Sequence, residues 1–148
     1  AVRGCGAQVT RAHMLALRLY TSDFYASINS PLRARKKPHP FPVTTYFITQ
    51  GLKKLRAIGA LSPEAGQPLM LWRGIRNLKV SDGFQSQGGT ELACMSTTRD
   101  QAVALSFAQS DCPLLFKYVS KSFMDRGADV AAFSLYPREA EGLYPPIT

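Results

Sequence analysis

The sequence changes character at Pro68, and that change limits the folds open to it. Before it, apolar residues recur at helical spacing. Leu15, Leu19 and Ile28 mark one helix or two short ones between Arg11 and Asn29, with Pro31 as a stop. A second helix is expected from Val43 to Ile58. Tyr46, Phe47, Leu55 and Ile58 share its inner face, Lys53, Lys54 and Arg56 stay outside, and Pro42 and Gly59 bound it. After Pro68 the apolar runs are short. LMLW, LACMST, LLFKYV and DVAAFSL, parted by Gly, Asp, Ser and Pro, read as strands. One helix intervenes near Asp100 to Gln109, with Thr98 or Asp100 as its N-cap. The expectation is an α+β chain, helices first and strands after.

The 148 residues, 45% of them hydrophobic, suit one domain with a buried core. Arg3, Arg11 and Arg18 interrupt the first apolar stretch, and no run reaches the roughly 20 residues that cross a bilayer. The chain does not begin with Met and has no apolar run after a basic start, so no intact signal peptide is expected. Charge is uneven: ten Lys and Arg against Asp23 alone through residue 60, then eight against nine acids. The densest run, Arg33, Arg35, Lys36 and Lys37, fits a solvated loop, an anionic surface or a phosphate-bearing ligand. It lacks the interleaved aromatics of a base-stacking surface, so no specific nucleic acid is expected.

Cys5, Cys94 and Cys112 are odd in number and lack CxxC spacing, which suggests neither a disulfide framework nor a zinc site and points to a reducing, intracellular compartment. His13 and His39 carry no motif, and His39 lies in a Pro-flanked stretch expected to be a rigid connector. Structural roles are expected for both.

The strand-rich half carries the chemistry. Arg73 ends an apolar run and precedes Gly74, where a guanidinium fork could meet a pyrophosphate and a bare backbone a flat ligand. An ordinary strand-edge arginine is the plainer alternative. Gly88 and Gly89 should turn the chain toward Ser96, Thr97 and Thr98, hydroxyls able to hold a carboxylate and touch ligand, or simply to cap a helix. Glu139 and Glu141, alternate residues of YPREAEGLYPP, would project to one side of an extended segment. Two carboxylates there suit chemistry in which one steadies a developing cation while the other handles a nucleophile. Alone, they are also compatible with a solvated acidic turn.

Taken together, LYTSDFYASINSPLR, LWRG, GGTELACMSTT, LLFKYV and AAFSLYPREAEGLYPP resemble the arginine-serine-glutamate class of ADP-ribosyltransferases, which includes arginine-specific mono-ADP-ribosyltransferases with a Glu-x-Glu motif and related bacterial toxins. The resemblance implies a helical lobe, residues 1–68, packed on a two-sheet mixed β core, residues 69–148, with NAD in the cleft. By resemblance Arg73 binds the phosphate and ribose region of NAD, and Gly74 meets the nicotinamide amide. Ser96, with Thr97 beside it, supports the catalytic glutamate and the ribose. Glu141 is that glutamate, Glu139 recognises an acceptor guanidinium, and Tyr136 and Phe107 are candidates for substrate recognition and for packing against nicotinamide.

The implied reaction transfers ADP-ribose from NAD, or NADP, to a protein arginine with release of nicotinamide, and needs no metal. NAD hydrolysis is the expected side reaction. Family members usually continue past the segment corresponding to YPPIT into a further core strand. The chain is therefore expected to lack its last strand, leaving a C-terminal sheet edge for later residues or an assembly partner to cover. A non-catalytic, transferase-like structural subunit is the alternative reading.

Overall fold

The computed structural model describes residues 8–139 and 141–148, so Arg3, Cys5 and Ala140 lie outside the described residues. Three helices come first: α1 (Arg11–Tyr20), α2 (Tyr25–Arg33) and α3 (Pro42–Gly59). Thr10 begins α1: its N–H donates to His13 Nδ1 at 3.1 Å, which makes that nitrogen the acceptor for the Thr10 hydroxyl at 2.6 Å. His13 is thus a buried capping residue. His39 is likewise structural, its Nε2 3.1 Å from the Ile28 carbonyl. The chain breaks between α1 and α2, where the Thr21 and Ser22 hydroxyls donate to the Arg18 and Leu19 carbonyls and compete with the helix. Pro31 does not stop α2, which runs on to Arg33 and closes through Lys36 N–H to the Pro31 carbonyl at 2.9 Å.

The inner face of α3 is narrower than its pattern suggests. Ile48, Gly51 and Leu52 are buried, Phe47 and Leu55 pack beside them, and Tyr46 is exposed, one position off the stripe. Gly51 sets the approach of α1, because a Cβ there would lie 3.1 Å from Leu17 Cδ1.

The strands are β1 (Leu69–Ile75), β2 (Met95–Thr98), β3 (Leu114–Ser120), β4 (Ala128–Asp129) and β5 (Glu141–Tyr144), with the short helix α4 (Phe84–Gln87) before β2 and α5 (Gln101–Ala108) after it. Gly88, at φ 70°, ends α4, and Asp100 caps α5 by accepting the Ala102 N–H at 2.8 Å. The described strands form one antiparallel sheet in the order β3-β1-β2-β5-β4 rather than the two-sheet mixed core expected. The expectation nonetheless has a physical counterpart. β1 pairs with β3 along its whole length, from Leu69↔Ser120 to Ile75↔Leu114, but with β2 only at Trp72↔Thr98. The sheet is two halves hinged at one residue pair.

Two more expectations change. DVAAFSL is not a strand beyond Asp129: Val130 and Phe133 turn inward together, and Ser134 N–H bonds the Val130 carbonyl at 2.9 Å. Its apolar residues fill the core by a turn, at i and i+3, instead of by alternation. Nor is the C-terminal strand a sheet edge. β5 lies between β2 and β4, and the edges are β3 and the two-residue β4.

The main core joins helices to the β2-β5-β4 half: Leu17, Ile28, Ile48 and Leu52 meet Cys94, Ala128, Val130 and Leu143. On the other half α5 lies against β1 at Gly74. A Cβ there would come within 1.9 Å of the Ala104 carbonyl oxygen and 2.8 Å of the Ala108 nitrogen, both backbone atoms. Gly74→Ala should therefore lower the unfolding free energy by about 2 kcal/mol or more, since backbone must move. Gly66→Ala, with nothing within 4 Å of the added carbon, should change it little. Urea unfolding of the two variants measures the difference.

Candidate active site

Beyond Trp72↔Thr98 the two halves of the sheet part, and the opening is a cleft of about 820 Å³. It is lined by Arg73 and Gly74 of β1, Ser96, Thr97 and Thr98 of β2, Phe107 of α5, and Tyr136, Glu139 and Glu141 of the C-terminal segment. All eight site residues expected from the sequence are in this one concavity. They are brought there from positions up to 68 apart, Arg73 to Glu141.

Arg73 is fixed across the opening. Its Nη1 donates to the Ser96 carbonyl at 3.0 Å and its Nη2 to Glu91 Oε2 at 3.1 Å. Glu91 is shared: Arg33, at the end of α2, donates through Nε and Nη2 to both its oxygens at 3.1 and 3.0 Å, and the Ala93 N–H adds a fourth bond at 3.0 Å. Burial opposes ionisation of Glu91, but the Arg33 and Ala93 hydrogen bonds and the two guanidinium charges outweigh it and hold the carboxyl below its ordinary range. Burial pulls the Arg73 guanidinium down, with Glu91 opposing.

The second wall belongs to the hydroxyls of β2. Thr98 Oγ1 donates to the Glu139 carbonyl at 2.6 Å, and Thr97 Oγ1 to the Gly142 carbonyl at 2.9 Å. They clamp the chain on either side of the glutamate pair. Glu139 closes a short 3-10 turn, Pro137–Glu139, and Glu141 opens β5 opposite Thr98. The pair is thus not one extended segment as expected, because Glu139 N–H bonds back to the Tyr136 carbonyl at 3.0 Å. The two carboxylates still sense each other. Burial and then the Glu139 charge push the Glu141 carboxyl up to about 7.

Ser96, Phe107 and Tyr136 are exposed to the cleft, the last two by 49% and 53%, which leaves them free to meet a ligand. Gly74 lines the cleft as well, but its lack of a side chain is already required by α5.

Sequence reasoning missed three residues of this wall, Tyr20, Asn29 and Glu91, and named a fourth, Arg33, only as part of a basic run. Asn29 Nδ2 donates to the Tyr20 hydroxyl at 2.9 Å, while its buried Oδ1 has no partner among the described residues. Helical spacing places Asn29 beside Ile28 on an otherwise apolar face, a signal that was available. Arg33 was hidden in the basic run, of which Arg35, Lys36 and Lys37 are indeed exposed.

Two stability predictions follow from this wall. Glu91→Ala leaves Arg73, with 12% of its side chain exposed, without its carboxylate, and should lower stability by about 3 kcal/mol. Arg33→Ala removes a partner that is 48% exposed and should cost only about 1 kcal/mol. For Glu141 the sign is opposite. Its carboxyl is raised from 4.5 to about 7, so the folded state holds a proton that the unfolded chain loses. The stability present below pH about 4.5 falls away as pH rises through 7. Glu141→Gln should then match the wild type at pH 4 and exceed it at pH 8 by on the order of 2 kcal/mol, read by urea unfolding at both pH values.

Residues 3–148 match the family model described as NAD:arginine ADP-ribosyltransferase. Ecto-ADP-ribosyltransferase 5 of Rattus norvegicus is 26% identical over 144 residues, which cover 90% of this chain and 44% of that protein. The chain thus spans less than half the length of this curated relative. Among solved structures, exoenzyme S of Pseudomonas aeruginosa superposes with a TM-score of 0.66 at 25% identity, covering 94% of this chain and 64% of that one. The eukaryotic mono-ADP-ribosyltransferase ART2.2 shares the fold at 20% identity and a TM-score of 0.69, covering 99% and 61%. With residues 3–148 of 148 matched by the family model, the chain belongs to the NAD:arginine ADP-ribosyltransferase family.

Proposed function

We propose that this chain is a single transferase domain, with residues 1–68 as its basic lobe and 69–148 as its catalytic part, that moves ADP-ribose from NAD to an arginine guanidinium and releases nicotinamide. The observation that carries the reading is the meeting of Arg73, Ser96, Glu139 and Glu141 around one open cleft. That openness, with Ser96 and Tyr136 exposed in it, favours catalysis over a purely structural role. Exoenzyme S was solved bound to carba-NAD and ART2.2 in complex with NAD.

The residues fit the donor. Arg73 and Arg33 offer positive charge to a pyrophosphate. When the glycosidic bond breaks, its electron pair leaves with nicotinamide and positive charge spreads over the ribose. Glu141 stabilises that charge, which neutral ground-state ribose does not carry. Full deprotonation of an arginine at pH 7 would cost roughly 8 kcal/mol, so Glu139 orients the guanidinium and accepts its proton as the new carbon–nitrogen bond forms. Water in place of the guanidinium gives hydrolysis. NAD is the donor; NADP is a second donor to be compared with it, and proteins with an exposed arginine are the acceptors.

The test is incubation with labelled NAD, with and without agmatine. Nicotinamide release and label transfer are expected, with kcat/KM rising through pH about 7 as Glu141 ionises. Failure of the well-folded protein to bind or turn over NAD would overturn the proposal. Glu141→Gln should abolish nicotinamide release with either acceptor. Glu139→Gln should suppress transfer to agmatine by at least about tenfold more than hydrolysis, since water needs no guanidinium-orienting carboxylate. Equal loss of both would sink the division of roles.

A further inference from the structure

The helices do not all end alike. In α1, α2 and α3 the first amide past the helix closes the last turn: Thr21 N–H donates to the Leu17 carbonyl at 3.1 Å, Ala34 to Ser30 at 3.0 Å and Ala60 to Arg56 at 3.0 Å. α5 has no such closure. Gln109, with φ −54° and ψ 109°, turns the chain out of the helix, and among the described residues no backbone N–H beyond α5 reaches a carbonyl of its last turn. Side chains take that place. Arg76, just past the end of β1, donates through Nε to the Phe107 carbonyl at 2.9 Å, and the Ser110 hydroxyl donates to the Ala108 carbonyl at 3.1 Å. Ser110 Oγ in turn accepts the Asn77 N–H at 3.1 Å, so consecutive residues of the loop after β1 grip the end of the helix.

The bond from Arg76 differs in kind from that of Ser110. The last carbonyls of a helix carry the negative end of its dipole, and α5 has no basic residue in its own last turn. Arg76 brings that charge from another element. It forms no ion pair among the described residues, so no carboxylate competes with the helix end for it. Phe107 has the complementary need. Its ring is 49% exposed in the transferase cleft, so packing holds only part of it and its aim depends on the backbone that carries it.

We infer that Arg76 is a positioning residue of the donor site: it holds the last turn of α5 through the Phe107 carbonyl and so keeps an aromatic face aimed into the cleft for a ring of the dinucleotide. The inference rests on the transferase reading for the identity of the donor. A ring fixed before the ligand arrives loses less freedom on binding than one the ligand must order, so the effect of Arg76 belongs to donor affinity.

Two measurements on the intact protein test it. Without ligand, amide hydrogen exchange in Arg76→Ala should be faster by about fivefold or more at Phe107 and Ala108, and unchanged in α3. In nicotinamide release, KM for NAD should rise about fivefold in Arg76→Ala, and Arg76→Lys, which keeps the charge and a donor, should restore it to within about twofold. Because the effect passes through the ring, Arg76→Ala should add less than about twofold once Phe107→Ala is present. ADP, which carries adenine without nicotinamide, locates the ring by calorimetry: affinity lowered as much as that for NAD assigns adenine to Phe107, and unchanged affinity assigns nicotinamide. Unchanged exchange at residues 107 and 108 would overturn the inference. So would a full further loss from Arg76→Ala in the Phe107→Ala background, the mark of a residue that does not act through the ring. A wild type that binds no NAD refutes the transferase reading and the donor role with it, whereas NAD turnover with an additive cycle refutes the role of Arg76 alone.

Discussion

The cleft exists because β1 and β2 are joined at a single residue pair, Trp72↔Thr98. A fully laddered sheet would have brought Arg73 and Gly74 flush against β2 and left no concavity for a ligand. With the ladder interrupted, the backbone groups along the opening need other partners, and side chains supply some of them. The Arg73 guanidinium reaches the Ser96 carbonyl, and the Thr97 and Thr98 hydroxyls hold the segment bearing the two glutamates. The residues with proposed ligand roles thus sit among groups that keep a parted sheet together.

Charge is distributed with the same logic. Glu91 neutralises Arg73 from the sheet side and Arg33 from the helical side, so one carboxylate ties the two lobes and fixes an arginine at the cleft. Its backbone is in turn clasped by residues 147 and 148, the Glu91 N–H donating to the Thr148 carbonyl at 2.8 Å and the Glu91 carbonyl accepting from both amides. Among the described residues Glu141 has no such neutralising partner. Burial and the neighbouring Glu139 charge raise its carboxyl and destabilise its charged form. A site that destabilises a carboxylate in the free protein is one prepared to receive positive charge, which is what a departing nicotinamide leaves on ribose.

How much of this was legible from sequence depended on whether a residue's role is local. The helices α1 to α3 and strands β1 and β3 follow from spacing and from Pro and Gly boundaries, and the site residues were recognisable because they fall within short motifs. What failed was tertiary. DVAAFSL has strand composition, but Val130 and Phe133 find the core through a turn. Pro31 promised a stop, yet α2 runs two residues past it to Arg33 and closes with the Lys36 N–H on the Pro31 carbonyl. Arg33 read as one of four surface cations because its partner is 58 positions away. Gly74 was understood as making room for a ligand, whereas its first constraint is the backbone of α5. A pattern reports the face a residue turns inward and not what waits there.

The arginines make that point most clearly, since composition treats them alike. Arg73 and Arg33 share a carboxylate, so any anion entering the cleft must compete with Glu91 for them, which favours a ligand carrying more than one negative charge. Arg126 and Arg56 are held instead by neutral backbone carbonyls, those of Glu64 and Met124. The first arrangement is stable without ligand and selective against weak anions. A second cavity, of about 490 Å³, lies between the C-terminal end of α3 and the strands β1, β4 and β5. Only Glu141 borders both cavities, so a charge placed in either adds its field to that carboxylate.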